Sequence, residues 1–345
     1  MKVENLEITK ELNKAKKQAI DLLYSVINSE FQCCSRDYVA LIHESIETVS
    51  TSFEKYFLTT VSAKLCKSLT KEVEFLGLAA ELIMFSALTV DDFLDQTKCR
   101  NNYVPIYLKR GEGKAILASF ALIDIFEDCL QKGLNNGVTE EVKTLIRKQF
   151  WRAFRDIQVG QYTVCISTQE SVLSVEFLDK LAHLRCGSLI GACFSVGPAL
   201  SGNKKKYASF YNSGIWIGKA LQHRNDIIDF ILADNQKIKP CFEDFVNGQA
   251  NIVSVFIFKN FPKLNSAEQE AIKHMYGRKT IKKDYYLTDR DKSVLAEVLK
   301  KTNALTLACL ELKTCIDNAY SCIEPELNCD SGEKLLQFLD VVKTV

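Results

Sequence analysis

Three aspartates stand within five residues at the end of an apolar stretch, in the run Asp91-Asp92-Phe93-Leu94-Asp95. A helical repeat puts Asp91 and Asp95 one turn apart on a single face, with Asp92 beside them. Because a helix C-terminus already carries partial negative charge, such a cluster is unfavourable unless a cation binds. Carboxylate oxygens with this spacing suit Mg²⁺, which usually also takes substrate phosphate and water. The run therefore indicates a magnesium site for a phosphorylated substrate, and a solvated acidic helix end is the alternative.

A second acidic run, Asn225-Asp226-Ile227-Ile228-Asp229, repeats this spacing more than a hundred residues later, again at the end of an apolar helix. Two such helix ends facing each other would clamp a diphosphate through metal ions. We therefore predict that Asn225, Asp226 and Asp229 join the three aspartates of the first run as metal ligands.

Basic residues accompany both runs. Arg100 follows the first run by five residues, Arg185 lies on the helix before the second, Arg224 adjoins the second, and Lys239 stands in the loop beyond it. Arginine and lysine near a metal-bound diphosphate would neutralise its remaining charge. Each of them taken alone is equally consistent with a surface charge, and the argument for an anion site depends on the set.

Helices must position these residues. The chain has five prolines, and its apolar residues recur at a spacing of three to four without strict alternation, which predicts an all-α protein with one domain over residues 1–345. Phe75–Leu94 and Leu189–Leu200 are apolar around most of the helix, as expected of inner helices in a large bundle. The predicted helices span residues 5–30, 36–67, 71–97, 113–134, 138–168, 173–197, 205–233, 247–260, 266–278, 288–324 with a break, and 332–343.

The composition excludes several classes of protein. A formal net charge of +1 gives no bulk attraction for nucleic acid or an anionic membrane. Thirteen cysteines without zinc-like spacing indicate reduced thiols, typical of a cytoplasmic protein. The segment Met1–Lys17 lacks the apolar core of a signal peptide, and Phe75–Val90 is too short and too polar to span a bilayer. We therefore expect a cytoplasmic protein without a transmembrane segment.

Further segments of the sequence, taken with the acidic runs, resemble one known family of enzymes. Arg185-Cys186-Gly187-Ser188-Leu189 and Gly218-Lys219-Ala220-Leu221-Gln222, together with the acidic runs, Arg100 and Lys239, resemble the trans-isoprenyl diphosphate synthases, also called polyprenyl synthetases. The resemblance covers residues 45–255 and implies a helical bundle around a deep apolar pocket, with both acidic motifs and three Mg²⁺ ions at its mouth. It also implies a homodimer, an allylic diphosphate substrate, and catalytic roles for Arg100, Arg185, Gln222 and Lys239.

The sequence departs from the family where the second substrate, isopentenyl diphosphate, would bind. In an alignment without gaps, the family's Lys and Arg of the GGKxxR segment fall on Ser52 and Lys55, its His or Gln falls on Met84, and the second arginine of its Arg-Arg pair falls on Asn101. Each charge-assisted hydrogen bond lost in this way is worth about 1.5–3 kcal/mol. The sequence therefore predicts weak binding of isopentenyl diphosphate, whereas Arg100 keeps its role toward the allylic diphosphate.

Three further positions differ from chain-elongating relatives. Asn225 replaces the first Asp of the second motif and resembles the start of the Asn/Ser/Glu metal triad of terpene cyclases, although Asp229 and Ala233 do not complete that triad. Val164 and Gln249 stand where elongating members usually have Asp and Lys. Each of these departures replaces a charged residue near the predicted metal site with a neutral one.

The sequence thus supports three functions. The leading interpretation is a Mg²⁺-dependent terpene synthase that ionises one allylic diphosphate, geranylgeranyl or farnesyl diphosphate, without condensation. The first alternative is a chain-elongating polyprenyl diphosphate synthase, and the second is a catalytically silent partner subunit of one.

The helix before the first acidic run predicts the shape of the substrate pocket. Small or flexible residues at Ala80, Met84, Ser86 and Ala87 would leave room for a long prenyl chain. Aromatic faces stabilise carbocations in dry sites, although core packing is the more common role of an aromatic in a helical bundle. The aromatic candidates are Phe85, Trp151, Phe154, Tyr162, Phe194 and Trp216.

Overall fold

The computed structural model describes residues 3–49, 53–100, 102–135, 137–166, 174–231, 241–281 and 285–344. Within these ranges the chain is helical, and its only extended pairing is a single bridge between Arg100 and Tyr103. The prediction of an all-α fold is confirmed.

Eighteen α-helices lie in the described ranges and are numbered here in chain order. They are α1 (Val3–Glu30), α2 (Arg36–Val49), α3 (Glu54–Leu65), α4 (Lys71–Leu94), α5 (Ile106–Arg110), α6 (Glu112–Gly133), α7 (Glu140–Ile166), α8 (Val175–Ala182), α9 (Ser188–Phe194), α10 (Val196–Leu200), α11 (Lys204–Ile228), α12 (Glu243–Asn247), α13 (Ile252–Lys259), α14 (Ser266–Met275), α15 (Arg278–Ile281), α16 (Asp289–Thr302), α17 (Ala304–Ile323) and α18 (Asp330–Lys343).

Helices α4 and α11 form the centre of the bundle and carry the two acidic runs at their C-terminal ends. Helix α4 packs mainly on α6 and α3, and α11 packs on α17 and α9. Gly218 of α11 faces the backbone of Cys186, where an added Cβ would lie 2.7 Å from the carbonyl oxygen. Glycine therefore allows α11 to approach, backbone to backbone, the segment that carries Arg185.

The prediction of one helix over residues 36–67 is wrong, because α2 ends at Val49 and α3 begins at Glu54. The residue before α3, Phe53, has a left-handed φ of 54°, and its buried ring packs edge-on against Phe85 at 5.5 Å between centroids. The carboxylate of Glu81 then accepts the N–H groups of Lys55 and Tyr56, at 2.7 and 3.0 Å. The first turn of α3 is thus capped from another helix, and no local sequence signal marks that start.

The predicted helix over residues 173–197 is interrupted by a wider turn. Between α8 and α9 the segment His183–Gly187 forms a π-helical turn, and such turns occur often at functional sites. The predicted break within 288–324 falls at Asn303, which has a φ of 53° and separates α16 from α17.

In the described part of the chain, α4 is the one helix whose length and composition would allow it to cross a membrane. Two thirds of its most apolar window, 67%, is buried inside the protein. The burial accords with the prediction that Phe75–Leu94 is an inner helix.

Candidate active site

The first acidic run closes α4, with Asp91 and Asp92 buried and Asp95 at the C-cap. Arg100 returns to this end through a short turn, donating from Nε to Asp92 Oδ1 at 2.6 Å and from Nη2 to Asp91 Oδ2 at 3.4 Å. Burial raises the pKa of Asp92, and the charge of Arg100 offsets that rise only in part. The cluster therefore retains a need for positive charge beyond this one arginine.

Arg185 links the first acidic helix end to the second. Its Nη2 lies 3.7 Å from Asp91 Oδ1, too far for a hydrogen bond, and this oxygen is buried without a hydrogen-bond partner. Although burial lowers the pKa of Arg185, the charges of Asp91, Asp95 and Asp244 outweigh that effect and raise it. The guanidinium therefore stands among carboxylates from both ends.

The second acidic run closes α11, and the two aspartates of this run bind the starts of later helices. Asp226 accepts from Gln222 Nε2 at 2.8 Å and from the backbone N–H of Ile252 at 3.0 Å. Asp229 accepts the backbone N–H groups of Glu243 and Asp244 at 3.1 and 3.2 Å. Both carboxylates thus sit at the positive ends of α13 and α12.

The charge state of Asp226 follows from its surroundings. Burial, followed by repulsion from Asp244, raises the pKa of its carboxyl to about 7, against the lowering effects of Ile252, Gln222 and Arg185. A bound cation would lower this pKa again, because it favours the ionised form.

Arg185 thus lies beside the first acidic run and is also affected by the charge of Asp244, next to the second run, whereas joint binding of one diphosphate by the two runs stays a prediction. Within the described ranges no group of three or more His, Cys, Asp or Glu side chains already has metal-binding geometry. The donor set nevertheless fits Mg²⁺, because it consists of carboxylate oxygens and includes the unsatisfied Oδ1 of Asp91. Asp91, Asp92, Asp95, Asn225, Asp226 and Asp229 remain predicted ligands, and of these Asn225 is exposed.

Gln222 is placed by two neighbours. Its Oε1 accepts from the thiol of Cys186 at 3.3 Å, while its Nε2 donates to Asp226. The side chain therefore joins the π-helical turn to the second acidic run. The predicted site residue Lys239 lies outside the described residues, as do Ser52, Asn101 and Ala233.

The predicted pocket residues occupy different faces of α4. Met84 and Ala87 are half-buried, and Ala80 is fully buried in the core. Ser86 points to α6, where its hydroxyl lies 2.8 Å from that of Ser119. Phe85 packs against Phe53. The open side of α4 therefore carries Met84 and Ala87.

Most of the predicted aromatic candidates pack in the core or lie on the surface. Phe194 is buried and stacks on Phe210, with 5.2 Å between ring centroids. Tyr162 is 64% exposed on α7. Trp151 donates to Glu127 and packs edge-on against Phe154, and Trp216 lies under the ammonium of Lys219. These contacts favour the alternative role of structural packing.

Two residues near the site went unrecognised as functional in the sequence. Glu81, which caps α3, lies 3.9 Å from the ammonium of Lys55, and this buried lysine occupies the one position of the expected isopentenyl diphosphate site that keeps a charge. Asp244 belongs to the second acidic end, although it lies fifteen residues beyond Asp229. Asp244 lies within residues 45–255, over which the sequence resembles the family, and that resemblance was the available signal.

Comparisons with known proteins agree with this geometry. The family model described as Polyprenyl synthetase matches residues 52–288. All trans-polyprenyl-diphosphate synthase from Homo sapiens is 24% identical over 195 residues, which are 55% of this chain and 44% of that protein. Solanesyl diphosphate synthase 2, chloroplastic, from Arabidopsis thaliana is 26% identical over 250 residues, which are 69% of this chain and 57% of that protein. The matches thus span about half the length of these two relatives.

Solved structures share the fold over almost the whole chain. Geranylgeranyl pyrophosphate synthetase from Pyrococcus horikoshii superposes with a TM-score of 0.83 at 17% identity, covering 98% of each chain. At this identity the similarity establishes the fold.

Proposed function

The chain belongs to the polyprenyl synthetase family, and from that premise we propose that it is a Mg²⁺-dependent prenyltransferase that extends an allylic diphosphate with isopentenyl diphosphate. The observation that carries the proposal is Arg185, which lies 3.7 Å from Asp91 at the first acidic helix end and whose pKa is also raised by Asp244 beside the second. The relatives that match are named as an all trans-polyprenyl-diphosphate synthase and a solanesyl diphosphate synthase, and these names favour this activity over the lyase activity that the sequence departures predicted.

The residues of the site have distinct tasks in this proposal. Bound Mg²⁺ would be held by the acidic ends of α4 and α11 and would supply Lewis acidity toward the leaving diphosphate. Arg100 and Arg185 bring positive charge to the same place, and Lys239 is predicted to add to it. Gln222, the other predicted catalytic residue, is held between Cys186 and Asp226 and orients the carboxylate of Asp226. The apolar walls of the bundle exclude water from the cation that forms.

A second candidate function is ionisation of one allylic diphosphate without condensation, as in a terpene synthase. The observation that favours it is the pairing of Lys55 with Glu81. An ammonium already balanced by a buried carboxylate offers less charge to a second diphosphate. Met84, which lies about two helical turns before the acidic run, supplies a thioether in place of a hydrogen-bond donor.

Product analysis separates the candidates. Purified protein is incubated with Mg²⁺ and farnesyl or geranylgeranyl diphosphate, with and without isotopically labelled isopentenyl diphosphate. We expect label in a longer prenyl diphosphate. Hydrocarbon or alcohol from the single substrate would favour the second candidate, and no turnover would favour a silent partner subunit. The triple variant Ser52→Lys, Met84→His, Asn101→Arg should lower the KM for isopentenyl diphosphate if condensation is limited by the missing cations.

We also propose that the protein is a homodimer. Large apolar side chains are exposed along one stretch of α6, at Ile116, Leu117 and Phe120, and along α7, at Val159 and Tyr162. Several large apolar side chains exposed on one helix indicate an interaction site. Light scattering after size exclusion should give twice the monomer mass, and Phe120→Glu should shift it toward the monomer, whereas a monomeric wild type would contradict the proposal.

A further inference from the structure

The residue that follows Gly218 on α11 is a buried lysine. Lys219 is 6% exposed, and burial of an ammonium is unfavourable unless a counter-charge or an aromatic face replaces the lost water. Both are present, because Lys219 Nζ donates to Asp179 Oδ1 at 2.5 Å and lies 4.5 Å from the centroid of the Trp216 ring. Asp179 belongs to α8, and 57% of its side chain is exposed. The ion pair therefore ties α11 to α8.

Helix α8 leads directly into the π-helical turn that carries Arg185. The helix ends where the turn begins, so Asp179 lies six residues before Arg185 along one continuous helical segment. A π-helical turn contains one residue more than an α-helical turn and is rare, so contacts with its neighbours must stabilise it. Helix α11 provides two such contacts. Lys219 binds α8 before the turn, and Gly218 lies against the backbone of Cys186 within the turn.

Further contacts confine the turn on both sides. Burial, followed by the charge of Lys219, lowers the pKa of His183, the first residue of the turn. On the opposite side, an added Cβ at Gly160 of α7 would lie 3.0 Å from Arg185 Cγ, so α7 packs closely against the arginine stem. The turn is thus held between α7 and α11, and Lys219 contributes charge on the α11 side.

We propose that Lys219 is a positioning residue for Arg185, because its ion pair with Asp179 holds α8 and the following turn so that the guanidinium stays beside Asp91. This inference rests on the proposed function, in which Arg185 brings positive charge to the diphosphate. The ammonium of Lys219 is itself engaged by Asp179 and by the ring of Trp216. Its effect on diphosphate binding is therefore exerted through Arg185.

Replacing the lysine with methionine separates positioning from stability. Lys219→Met keeps an apolar side chain of similar length and leaves Asp179 in water, and replacing a buried ion pair with apolar groups is often neutral for stability. The melting temperature should therefore stay near that of wild type.

Hydrogen exchange of the full-length protein without ligand measures the turn directly. We expect exchange over residues 183–188 to be about threefold faster in Lys219→Met, because the turn opens more readily without the ion pair. Asp179→Asn, a substitution at an exposed side chain, should have the same effect on this segment. Lys206→Met is the matched control, since it removes another ion pair of α11, with Glu326, and should leave exchange over residues 183–188 unchanged.

Binding of inorganic diphosphate tests whether Lys219 acts through Arg185. Diphosphate is titrated into the full-length protein with Mg²⁺ and followed by calorimetry. We expect Lys219→Met to weaken binding about tenfold, the usual effect of losing a residue that orients a ligand-binding side chain, and Arg185→Met to weaken it at least as much. The double variant should bind no more weakly than Arg185→Met alone, because Lys219 has no effect once the guanidinium is absent.

The outcomes distinguish the positioning role from the proposed function. Unchanged exchange over residues 183–188 in Lys219→Met, unchanged diphosphate affinity in that variant, or additive losses in the double variant would each overturn the positioning role. Binding that Arg185→Met weakens and Lys219→Met leaves intact would exclude the positioning role and support the proposed function. If the wild type binds no diphosphate with Mg²⁺, the proposed function fails, and so does the positioning role that depends on it.

Discussion

Glu81 offers a sharp test of how the start of α3 is held, because Glu81→Gln and Lys55→Met should have unequal effects. The glutamine retains an oxygen for the N–H groups of Lys55 and Tyr56 but leaves the ammonium of Lys55 buried without a counter-charge. Breaking a buried pair from one side costs about 3–5 kcal/mol. Lys55→Met should cost about 1 kcal/mol or less, because at 3.9 Å the ammonium makes no hydrogen bond and the carboxylate keeps both N–H donors.

Urea unfolding followed by far-UV circular dichroism measures both free energies. Glu81→Ala should cost more than Glu81→Gln, because two buried N–H groups then lose their acceptor at about 1–3 kcal/mol each. Glu47→Gln, at an exposed position of α2, is the control and should lie within about 0.5 kcal/mol of wild type. The reasoning is refuted if Lys55→Met is as destabilising as Glu81→Gln, since the two N–H donors of α3 would then fail to stabilise the Glu81 carboxylate in the absence of the ammonium.

Three other perturbations follow from the structure. Asp91→Ala should abolish turnover while the unfolding curve stays near that of wild type, and undiminished product formation would exclude the metal clamp. Ala87→Phe should shift preference from geranylgeranyl toward farnesyl diphosphate, since each excluded methylene forfeits about 0.8 kcal/mol, and competition assays that show no shift would place the chain along another wall. A hydrogen bond from Arg110, and a weaker effect of Lys109, lower the pKa of Glu44 from its ordinary value of 4.5 to about 2. Glu44 therefore stabilises the fold above about pH 5 and loses this effect as the pH falls toward 2. Unfolding experiments should show that Glu44→Gln lowers the free energy of unfolding by about 1–2 kcal/mol at pH 7, a figure that allows for screening of the ion pair by solvent. The same loss at pH 2 would contradict the assignment.

Much of the site was predictable because its spacing is local. The helical repeat within Asp91–Asp95 and Asn225–Asp229 puts each acidic group on one face, and the apolar character of the preceding residues predicts the inner helices. In the structure, Arg100 and Arg185 both lie against the first acidic run.

The features that escaped prediction depend on distant contacts. The start of α3 is held by Glu81, which is separated from Lys55 by 26 positions in the sequence. The π-helical turn at Arg185 follows from packing against α11, where Gly218 permits the approach. Asp244 joins the second acidic end through Asn251, a contact that no short motif contains. Sequence periodicity predicts a helix well. It does not predict which distant side chain will form hydrogen bonds with the free backbone groups at the end of that helix.

The hydrogen bonds of Asp226 and Asp229 have a consequence for large-scale mutagenesis. Their carboxylates anchor the first turns of α13 and α12, so substitutions there remove acceptors from buried backbone amides as well as any metal ligand. Cellular abundance should fall together with activity at these two positions. At Asp91, whose Oδ1 accepts no hydrogen bond, abundance should persist when activity is lost. A paired screen for protein level and product formation would therefore assign the two halves of one metal site to different phenotypic classes.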